Sequence, residues 1–470
     1  MNGNTGKIIA IGIVVVVVAA GAATFLVLNR DKGSSTEINA ALEVYGNANG
    51  DYMIDDSDVD VIQDIIDQKE GYTLEKYPLA DANHDSKVDS ADVDLVKKII
   101  AGGDEGKQIT VWVINHTTDT TNYPSGQYAA SVQWPVKKTI ANGAANALII
   151  YEMVGIRDNI AGINYSSSSP PDAIVYSHYN AMPSLGSSTM YLDETPVTNC
   201  VTANPDVTCV LTADNKGYLD GKKGMSEAYI KDTLHLDVVR LEHAAVDPDA
   251  YAAALLTVGF LFQKETKAEE AAEWITEVFK EITDKVSGAD KKVRVAATSY
   301  YNYLSAKNSD YADVTMQAGG EYTLWEGTST SIYFENSGSY VKDDRVFLPE
   351  YQPDVIISLR TSAFLGKAAD GASWYGDESK WNVTSMKGNL AHFEVFECYN
   401  NKKVYHLSGD MPIVARVLYT AAVLYPDLVS MDFANEKHQE FVDKFLGGSY
   451  TVADHRFVLS QDDISALSAA

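Results

Sequence analysis

The sequence predicts a mixed α/β protein in which two similar lobes are joined by a long helical brace, with a small all-α unit and a transmembrane helix ahead of them. Two observations predict the lobes and the brace. Residues 247–288 have the apolar spacing and end signals of two successive helices. On either side of them, the Pro-Asp-Val turns at 205–207 and 353–355 open strands rich in β-branched residues. We therefore expect two Rossmann-like lobes with a cleft between them.

Local helix signals define the brace. Asp247 is a candidate N-cap, Pro248 suits the first helical position, and residues 251–262 are almost wholly apolar, as in a helix buried on most sides. Thr266 and Glu269 have the spacing of a capping box that opens the second helix. We assign residues 107–246 to a front lobe, 247–290 to the brace, and 291–470 to a back lobe with terminal helices.

Length, charge and cysteine content limit the possible classes of protein. A chain of 470 residues is too long for one hydrophobic core, so several domains are expected. The net charge of −28 leaves no basic stripe that could neutralise nucleic-acid phosphates. Cys200, Cys209 and Cys398 form neither a disulfide framework nor a zinc site. Cys200 and Cys209 either pair outside the cell or remain two free thiols.

The N-terminal segment, residues 1–37, is predicted to be a membrane anchor with a short linker. Residues 8–28 are 21 residues without a charge, enough to cross about 30 Å of hydrocarbon as a helix. A signal peptide usually has a shorter apolar core, so we expect an uncleaved anchor in the plasma membrane with the bulk of the chain at the cell surface. A removed signal peptide is the alternative, since residues 20–23 offer a cleavage site.

An internal repeat with a period of 34 residues follows the anchor. Its copies begin at Asn47 and Asp81, and each places side-chain oxygens at positions 1, 3, 5, 9 and 12 of a loop before a helix, 59–66 or 93–100. A backbone carbonyl at position 7 would complete the oxygen set that a hard cation such as calcium requires. The candidate metal residues are Asn47, Asn49, Asp51, Met53, Asp55 and Asp58 in the first loop and Asp81, Asn83, Asp85, Lys87, Asp89 and Asp92 in the second.

On these residues, 38–106 resemble the dockerin domain of cellulosome-type assemblies, a duplicated EF-hand-type loop–helix unit. The resemblance implies two bound Ca2+ ions and docking on a cohesin domain. A calcium-stabilised spacer without a cohesin partner is the alternative.

Three departures from the dockerin pattern matter. Asn47 stands where aspartate is usual, which should weaken the first calcium site. Tyr52 and Ser86 occupy a turn position normally held by glycine, so we expect strain there from the Cβ atom. The cohesin-selecting pairs would be Asp56-Ser57 and Ser90-Ala91, unlike the familiar Ser-Thr type, so the identity of a partner does not carry over.

The large module carries a second resemblance, on motifs that occur in a fixed order. These are Lys138-Thr-Ile-Ala-Asn-Gly, Gly155-Ile-Arg-Asp-Asn-Ile-Ala-Gly, the two Pro-Asp-Val strands, Leu424-Tyr-Pro-Asp-Leu and Phe441-Val-Asp-Lys-Phe. From 109 to about 448 the chain resembles the substrate-binding proteins that serve ABC importers of vitamin B12, haem and ferric siderophores.

This resemblance implies an extracytoplasmic receptor that closes two lobes over an iron chelate, a corrinoid such as cobalamin, or a haem-like ligand. It would deliver the ligand to separate permease and ATPase subunits. The alternative function is a cell-surface assembly or adhesion protein that docks to a cohesin through the dockerin-like part. The sequence has no phosphate-binding P-loop, His-Glu-x-x-His or Gly-x-Ser-x-Gly motif, so we expect binding without catalysis and propose no catalytic residue.

The ligand cleft should be lined by the loops at the carboxyl ends of strands in both lobes. Tyrosine and tryptophan rings there offer flat faces suited to a macrocycle or a catecholate, and Arg360 could clamp a carboxylate. His116, His178 and His406 could ligate a metal centre. The cleft candidates are Asn142, Tyr165, Tyr176, Tyr300, Tyr301, Tyr303, Arg360, Trp374 and Tyr375. Asn115, Asn164 and Asn382 match the N-glycosylation pattern, at a frequency near chance.

Overall fold

The computed structural model describes residues 38–103, 107–143, 145–165, 177–188, 190–327, 329–360, 383–409 and 411–467. The predicted membrane anchor lies outside these residues. Within the described ranges, no helix is both long enough and apolar enough to cross a membrane.

The small N-terminal unit contains two helices, α1 (Asp56–Ile66) and α2 (Ser90–Ile100), which pack on each other. Both predicted helices are confirmed, and both begin three residues earlier than predicted. The reason is capping: Asp55 and Asp89 are the N-caps, and each forms a capping box with the aspartate at the third helical position, Asp58 or Asp92.

The front lobe is built on a four-stranded parallel sheet with the strand order β4-β3-β5-β6. A separate antiparallel hairpin, β1 paired with β2, packs beside β6. The strands are β1 (Ile109–His116), β2 (Gln127–Trp134), β3 (Lys138–Ala141), β4 (Ile160–Ile163), β5 (Val207–Ala213) and β6 (Asp237–Leu241). The helices are α3 (Ala145–Val154), α4 (Ser177–Asn180), α5 (Glu194–Ala203) and α6 (Glu227–Asp232). Strand β1 belongs to the hairpin and not to the parallel sheet.

The side chain of Asn115, on β1, closes the outer edge of β6. Its Nδ2 donates to the carbonyl of Val238 at 2.9 Å, and its Oδ1 accepts from the backbone N–H of Arg240 at 3.0 Å. Asn115 is fully buried, and Asn164 is 3% exposed, so neither amide presents the accessible nitrogen that glycosylation needs. Asn382 lies outside the described residues.

The brace consists of α7 (Pro248–Leu261) and α8 (Glu265–Val286), which pack against each other. The predicted start of α7 is confirmed, because Asp247 is its N-cap and accepts from the N–H groups of Asp249 and Ala250 at 3.1 and 3.0 Å. The predicted capping box at Thr266 and Glu269 is wrong. Residue 264 is the N-cap and makes no side-chain cap bond, so Thr266 already lies inside the first turn of α8.

The back lobe contains a five-stranded sheet with the order β13-β12-β11-β7-β9, in which β13 alone is antiparallel to its neighbour. A two-stranded antiparallel sheet, β8 with β10, packs beside it. The strands are β7 (Arg294–Thr298), β8 (Tyr303–Ser305), β9 (Glu321–Tyr322), β10 (Ser331–Tyr333), β11 (Val355–Arg360), β12 (Val404–Ser408) and β13 (Val458–Ser460). The helices are α9 (Asp310–Gln317), α10 (Val383–Ala391), α11 (Glu397–Asn400), α12 (Ile413–Leu424), α13 (Met431–Phe445) and α14 (Gln461–Ala466).

The two sheets confirm the prediction of an α/β chain with parallel strands. Helix α8 packs against α3 on the front side and α12 on the back side, so it contacts both halves of the large module. The three cysteines are free thiols, which excludes the Cys200–Cys209 pairing in this structure.

Candidate functional site

Two carboxylates, one from each lobe, lie close enough for their charges to interact. Asp214 directly follows β5 of the front lobe, and Asp310 begins α9 of the back lobe. Burial raises the pKa of the Asp214 carboxyl to about 6, and the charges of Glu242 and Asp310 add to the rise. The carboxylates of Asp214 in the front lobe and Asp310 in the back lobe therefore repel each other.

Asn142, at the end of β3, offers a buried hydrogen-bond acceptor at the cleft end of the front sheet. Its Nδ2 donates to Thr212 Oγ1 at 3.1 Å, whereas its Oδ1 has no hydrogen-bond partner. The next residue, Gly143, is held by a bond from its N–H to Asn164 Oδ1 at 2.9 Å. A buried acceptor without a partner costs free energy unless a donor reaches it, which suits a ligand-facing position.

Tyr165 is half-buried beside this turn. Its hydroxyl donates to the carbonyl of Met182 at 3.2 Å, and its N–H donates to Ser184 Oγ at 3.2 Å. Tyr165 thus supports the loop it belongs to. The predicted cleft residues Tyr176, Trp374 and Tyr375 lie outside the described residues. Arg360 is the last residue of β11, and its backbone lies opposite that of Ser408 in the pairing of β11 with β12.

Arg240, which the sequence analysis did not select, holds the loop after β5 in place. It is 5% exposed, and its guanidinium donates to the carbonyls of Ala213 and Tyr218 at 3.0 Å each. It also donates to Glu227 Oε2 at 2.9 Å. The sequence did contain a signal for this role, namely a single arginine within the apolar strand β6. A buried arginine has to be paired, so its position predicts acceptors nearby.

The tyrosine cluster, which we define as Tyr300, Tyr301, Tyr303, Tyr333 and Tyr340, lies at the carboxyl end of β7 in the back lobe. Tyr300 stacks on Tyr301 with ring centroids 4.3 Å apart and on Tyr303 at 6.1 Å. Tyr333 contacts Tyr303 at 5.3 Å and stacks on Tyr340 at 4.5 Å. Tyr340 is 57% exposed, so the cluster presents aromatic faces to solvent.

Two members of the cluster were missed by the sequence analysis. Tyr333 reaches Tyr303 because β10 pairs with β8 in a register that puts the two residues opposite each other. Strand β10 is only three residues long, and its sequence alone gives no signal for this register.

The three histidines proposed for a metal centre serve separate roles. His116 lies between Glu43 and Glu242, and His178 pairs with Glu152. His406 is buried inside β12, and burial lowers its pKa to about 3. Over the described part of the chain, no three side chains of His, Cys, Asp or Glu form a group that could hold a metal ion.

His116 forms a buried ion-pair group with two carboxylates. Its Nε2 is 2.7 Å from Glu43 Oε2, and its Nδ1 is 3.2 Å from Glu242 Oε1. Burial works to lower the pKa of His116, but the charges and hydrogen bonds of the two glutamates outweigh it and raise the pKa from 6.5 to about 10. The histidine is therefore charged at neutral pH and joins the N-terminal unit to the front lobe.

The second repeat loop has the internal bonding expected of a cation-binding loop. Asp81 accepts from the N–H groups of Asp85 and Ser86 at 3.0 and 2.8 Å, and Asp92 accepts from those of Asn83 and Asp89 at 3.1 and 2.8 Å. Ser86 has a φ of 72°, as predicted for the turn position. The bonds fix the carboxylates around the loop and leave further lone pairs of each carboxylate for other partners.

The first loop differs because Asn47 replaces an aspartate. Its Nδ2 donates to the carbonyls of Leu42 and Asp51 at 2.8 and 2.6 Å, and its Oδ1 is buried without a hydrogen-bond partner. Tyr52 does not adopt a positive φ, so the strain predicted for it is wrong. The amide of Asn47 donates to a loop carbonyl, whereas the carboxylate of Asp81 accepts from loop N–H groups. This difference accounts for the positive φ of Ser86 and its absence at Tyr52.

Two further features bear on whether the loops hold a cation. Asp58 is fully buried, and burial raises its pKa to about 7, with the charges of Asp51 and Asp55 adding to the rise. Burial also raises the pKa of Asp92. In this structure no three of the acidic side chains of these loops are gathered into a group that could hold a metal ion. A bound cation would nevertheless relieve this repulsion and would give Asn47 Oδ1 a partner.

A cavity of about 610 Å³ lies in the back lobe, at the opposite end of the sheet from the tyrosine cluster. Its lining includes Val293, Asp354 and Lys403, which precede β7, β11 and β12. These are amino ends of strands, so the cavity is distinct from the predicted cleft.

The raised pKa of Asp214 predicts a pH-dependent stability. The folded state keeps the proton to a higher pH than the unfolded state, so the stability falls as the pH rises from about 3.8 through 6. We expect Asp214→Asn to increase the free energy of unfolding by about 2 kcal/mol at pH 8 and by much less at pH 4. Urea denaturation at both pH values measures this. The exposed Asp206→Asn serves as the control, and an equal effect of Asp214→Asn at both pH values would contradict the prediction.

Several solved structures are similar to this chain. The TroA-like periplasmic binding protein FepB from Veillonella parvula is 17% identical, with a TM-score of 0.51 over 74% of this chain and 99% of that chain. An ABC transporter solute binding protein from Sulfurospirillum deleyianum is 15% identical, with a TM-score of 0.49 over 70% and 95% of the two chains. The molybdate periplasmic binding protein MolA from Haemophilus influenzae is 14% identical, with a TM-score of 0.48 over 69% and 96%.

The likeness to FepB shows the fold of the large module, which is that of a TroA-like periplasmic binding protein. The chain matches no protein-family model and no curated protein.

Proposed function

We propose that this chain is the extracytoplasmic solute-binding component of an ABC importer. It captures a corrinoid, haem-like compound or iron chelate between its lobes and delivers it to permease and ATPase subunits, tethered by the N-terminal helix. The observation that carries the proposal is the tyrosine cluster at the carboxyl end of β7, set in the fold of a periplasmic binding protein. Its ring faces suit a flat, conjugated or macrocyclic ligand, and its hydroxyl groups supply donors.

The described charges favour one part of this ligand class. Asp214, Glu242 and Asp310 make the described edge of the cleft acidic, and Asn142 Oδ1 is a free acceptor. A neutral or cationic ligand with amide donors, such as a corrinoid, meets these groups better than a polyanionic chelate does.

A titration of the purified chain tests the function. Intrinsic tryptophan fluorescence is followed while cobalamin, haemin and a panel of ferric siderophores are added, with correction for inner-filter absorption. We expect saturable quenching by one ligand at micromolar affinity or tighter. Tyr301→Ala should weaken that binding about tenfold or more, because a ring that becomes buried against the ligand contributes roughly 1.5–3 kcal/mol.

The matched control is Tyr123→Ala, which removes a tyrosine on the β1–β2 connection that is outside the cluster. Its ligand affinity should equal that of the wild type. The absence of saturable binding by any of the three ligand classes would overturn the proposed function. Attention would then turn to cohesin docking in calcium through the exposed residues Asp56, Ser90 and Ala91.

The two repeat loops are proposed to bind one calcium ion each, through the twelve residues identified from the repeat. Asn47→Asp is expected to raise the calcium affinity of the first loop about tenfold. The reason is that a charged carboxylate replaces a neutral amide, whose nitrogen donates to two backbone carbonyls. In the absence of calcium the same change should destabilise the loop. Calorimetric titration of calcium into both proteins measures this, and unchanged affinity of the first site would contradict it.

A further inference from the structure

The segment 40–46, which we name the strap, is hydrogen-bonded to the front lobe on one side. Val44 forms an antiparallel bridge with Val113 of β1. The N–H of Tyr45 donates to the carbonyl of Trp112 at 2.9 Å, and the N–H of Ile114 donates to the backbone carbonyl of Glu43 at 3.0 Å. The strap therefore extends the β1–β2 hairpin by one short strand, and the Glu43–His116 pair adds an ionic contact at its end.

On its other side, the strap is hydrogen-bonded to the repeat unit. The N–H of Leu42 donates to the carbonyl of Asp51 at 2.8 Å, and Asn47 Nδ2 donates to the carbonyl of Leu42 at 2.8 Å. The N–H of Gly46 donates to the carbonyl of Leu79 at 2.7 Å, just ahead of the second loop. The same seven residues thus contact both repeat loops or their immediate flanks, and the front lobe.

The second loop also reaches the lobe directly, through His84. Its ring lies 4.6 Å from the ring of Trp112 on β1 and 4.8 Å from that of Tyr45 on the strap, measured between centroids. His84 stands between Asn83 and Asp85, which are proposed calcium ligands, and its φ is 57°. The position of this ring is therefore set by the backbone of the loop that would hold the ion.

The apolar core is continuous across this junction. Leu42, Val44 and Ile99 belong to the same buried cluster as Val111 and Val113. At the far end of α2, Gln263 Nε2, from the turn between α7 and α8, donates to the carbonyl of Gly102 at 3.1 Å. The repeat unit is packed into the large module at several points and is not joined to it by the linker alone.

We infer that calcium binding to the repeat loops stabilises the front lobe, and that the strap together with His84 transmits the effect. The inference rests on the proposed calcium sites. Without an ion, the buried carboxylates of the loops repel one another, and the loop conformation that places His84 against Trp112 is less populated. With an ion that conformation is held, and because coupling is reciprocal, an ordered lobe also favours ion binding.

Hydrogen exchange on the full chain tests this coupling. Exchange in the strap and in β1 is compared between 1 mM calcium and excess chelator, while calcium binding is measured separately by calorimetry. We expect calcium to slow exchange of the Tyr45 and Ile114 amides about tenfold or more. Exchange in β12, which is remote from the strap, should not change and serves as the internal control.

Two variants distinguish the transmission of the effect through His84 and Trp112 from calcium binding itself. His84→Asn removes the ring but tolerates the positive φ, and Trp112→Leu removes the partner ring without altering the loop. Both should bind calcium yet lose most of the calcium-dependent protection of β1. Lys97→Ala is the matched control, since it changes an exposed side chain on α2 of the same unit and leaves both loops, His84 and Trp112 unaltered.

The possible failures are distinguishable. No calcium binding by the wild type would overturn the calcium sites and the coupling together. Calcium binding without any change in exchange of the strap and β1 would overturn the coupling alone. Full calcium-dependent protection in both His84→Asn and Trp112→Leu would overturn the path through these two rings.

Discussion

Replacement of Arg240 with alanine is expected to lower the free energy of unfolding of the front lobe by about 3–5 kcal/mol. The change leaves Glu227 and the carbonyls of Ala213 and Tyr218 without their donor in a buried site. Urea denaturation followed by fluorescence measures the loss. Arg240→Lys should be intermediate, because an ammonium group keeps the charge but cannot reach all three acceptors. A midpoint equal to that of the wild type would contradict the assigned role.

The same replacement should weaken ligand binding, because the loop 213–218 stands at the cleft end of β5 and Arg240 holds both of its ends. The matched control is Arg294→Ala. Arg294 also donates to loop carbonyls, Pro349 and Glu350, but it lies at the amino end of β7, away from the cleft. Its loss should cost stability without changing affinity. Equal effects of the two variants on affinity would show that Arg240 has no special link to the cleft.

Replacement of His116 with alanine is expected to cost about 3 kcal/mol at neutral pH, since it leaves Glu43 and Glu242 facing each other without a cation. This contribution depends on pH with a definite sign. The folded-state pKa is raised from 6.5 to about 10, so the contribution is fully present below 6.5 and is lost as the pH rises through 10. The difference in unfolding free energy between the wild type and the variant should therefore be largest at pH 6, smaller at pH 8 and smallest at pH 10.

The control is His392→Ala, which breaks a pair of similar length, 2.7 Å to Glu335, in which both side chains are about one-third exposed. An exposed pair of this kind contributes roughly 0–1 kcal/mol. If His116→Ala cost no more than His392→Ala, or kept the pH dependence of the wild type, the buried ion-pair group would not have the role assigned to it.

The features that the sequence predicted correctly depend on nearby residues. Asp247 followed by Pro248 marks the start of α7 because an N-cap bond spans only two or three residues. The parallel strands after residues 205 and 353 follow from turn chemistry and β-branched runs. The same kind of signal failed at Thr266 and Glu269, because their spacing also occurs inside a helix and only the preceding turn distinguishes the two cases.

The features that the sequence could not predict depend on contacts between distant segments. Tyr333 joins the tyrosine cluster through a three-residue strand register, and Arg240 acquires its acceptors from a loop more than twenty residues earlier in the chain. Tyr52 and Ser86 occupy equivalent repeat positions yet differ in φ, because Asn47 donates where Asp81 accepts. Such differences become visible only when the whole loop is assembled.

The bonds of Asn115 to β6 have a consequence for self-association. An edge strand with open N–H and carbonyl groups can template pairing with another chain, and β6 is the edge strand of the front sheet. One buried asparagine occupies the Val238 carbonyl and the Arg240 N–H, and Asp237 Oδ2 accepts from the N–H of Gln133 at 2.7 Å. The hairpin therefore protects this edge from intermolecular β-pairing. Sequence changes at Asn115 should be detected first as aggregation during folding.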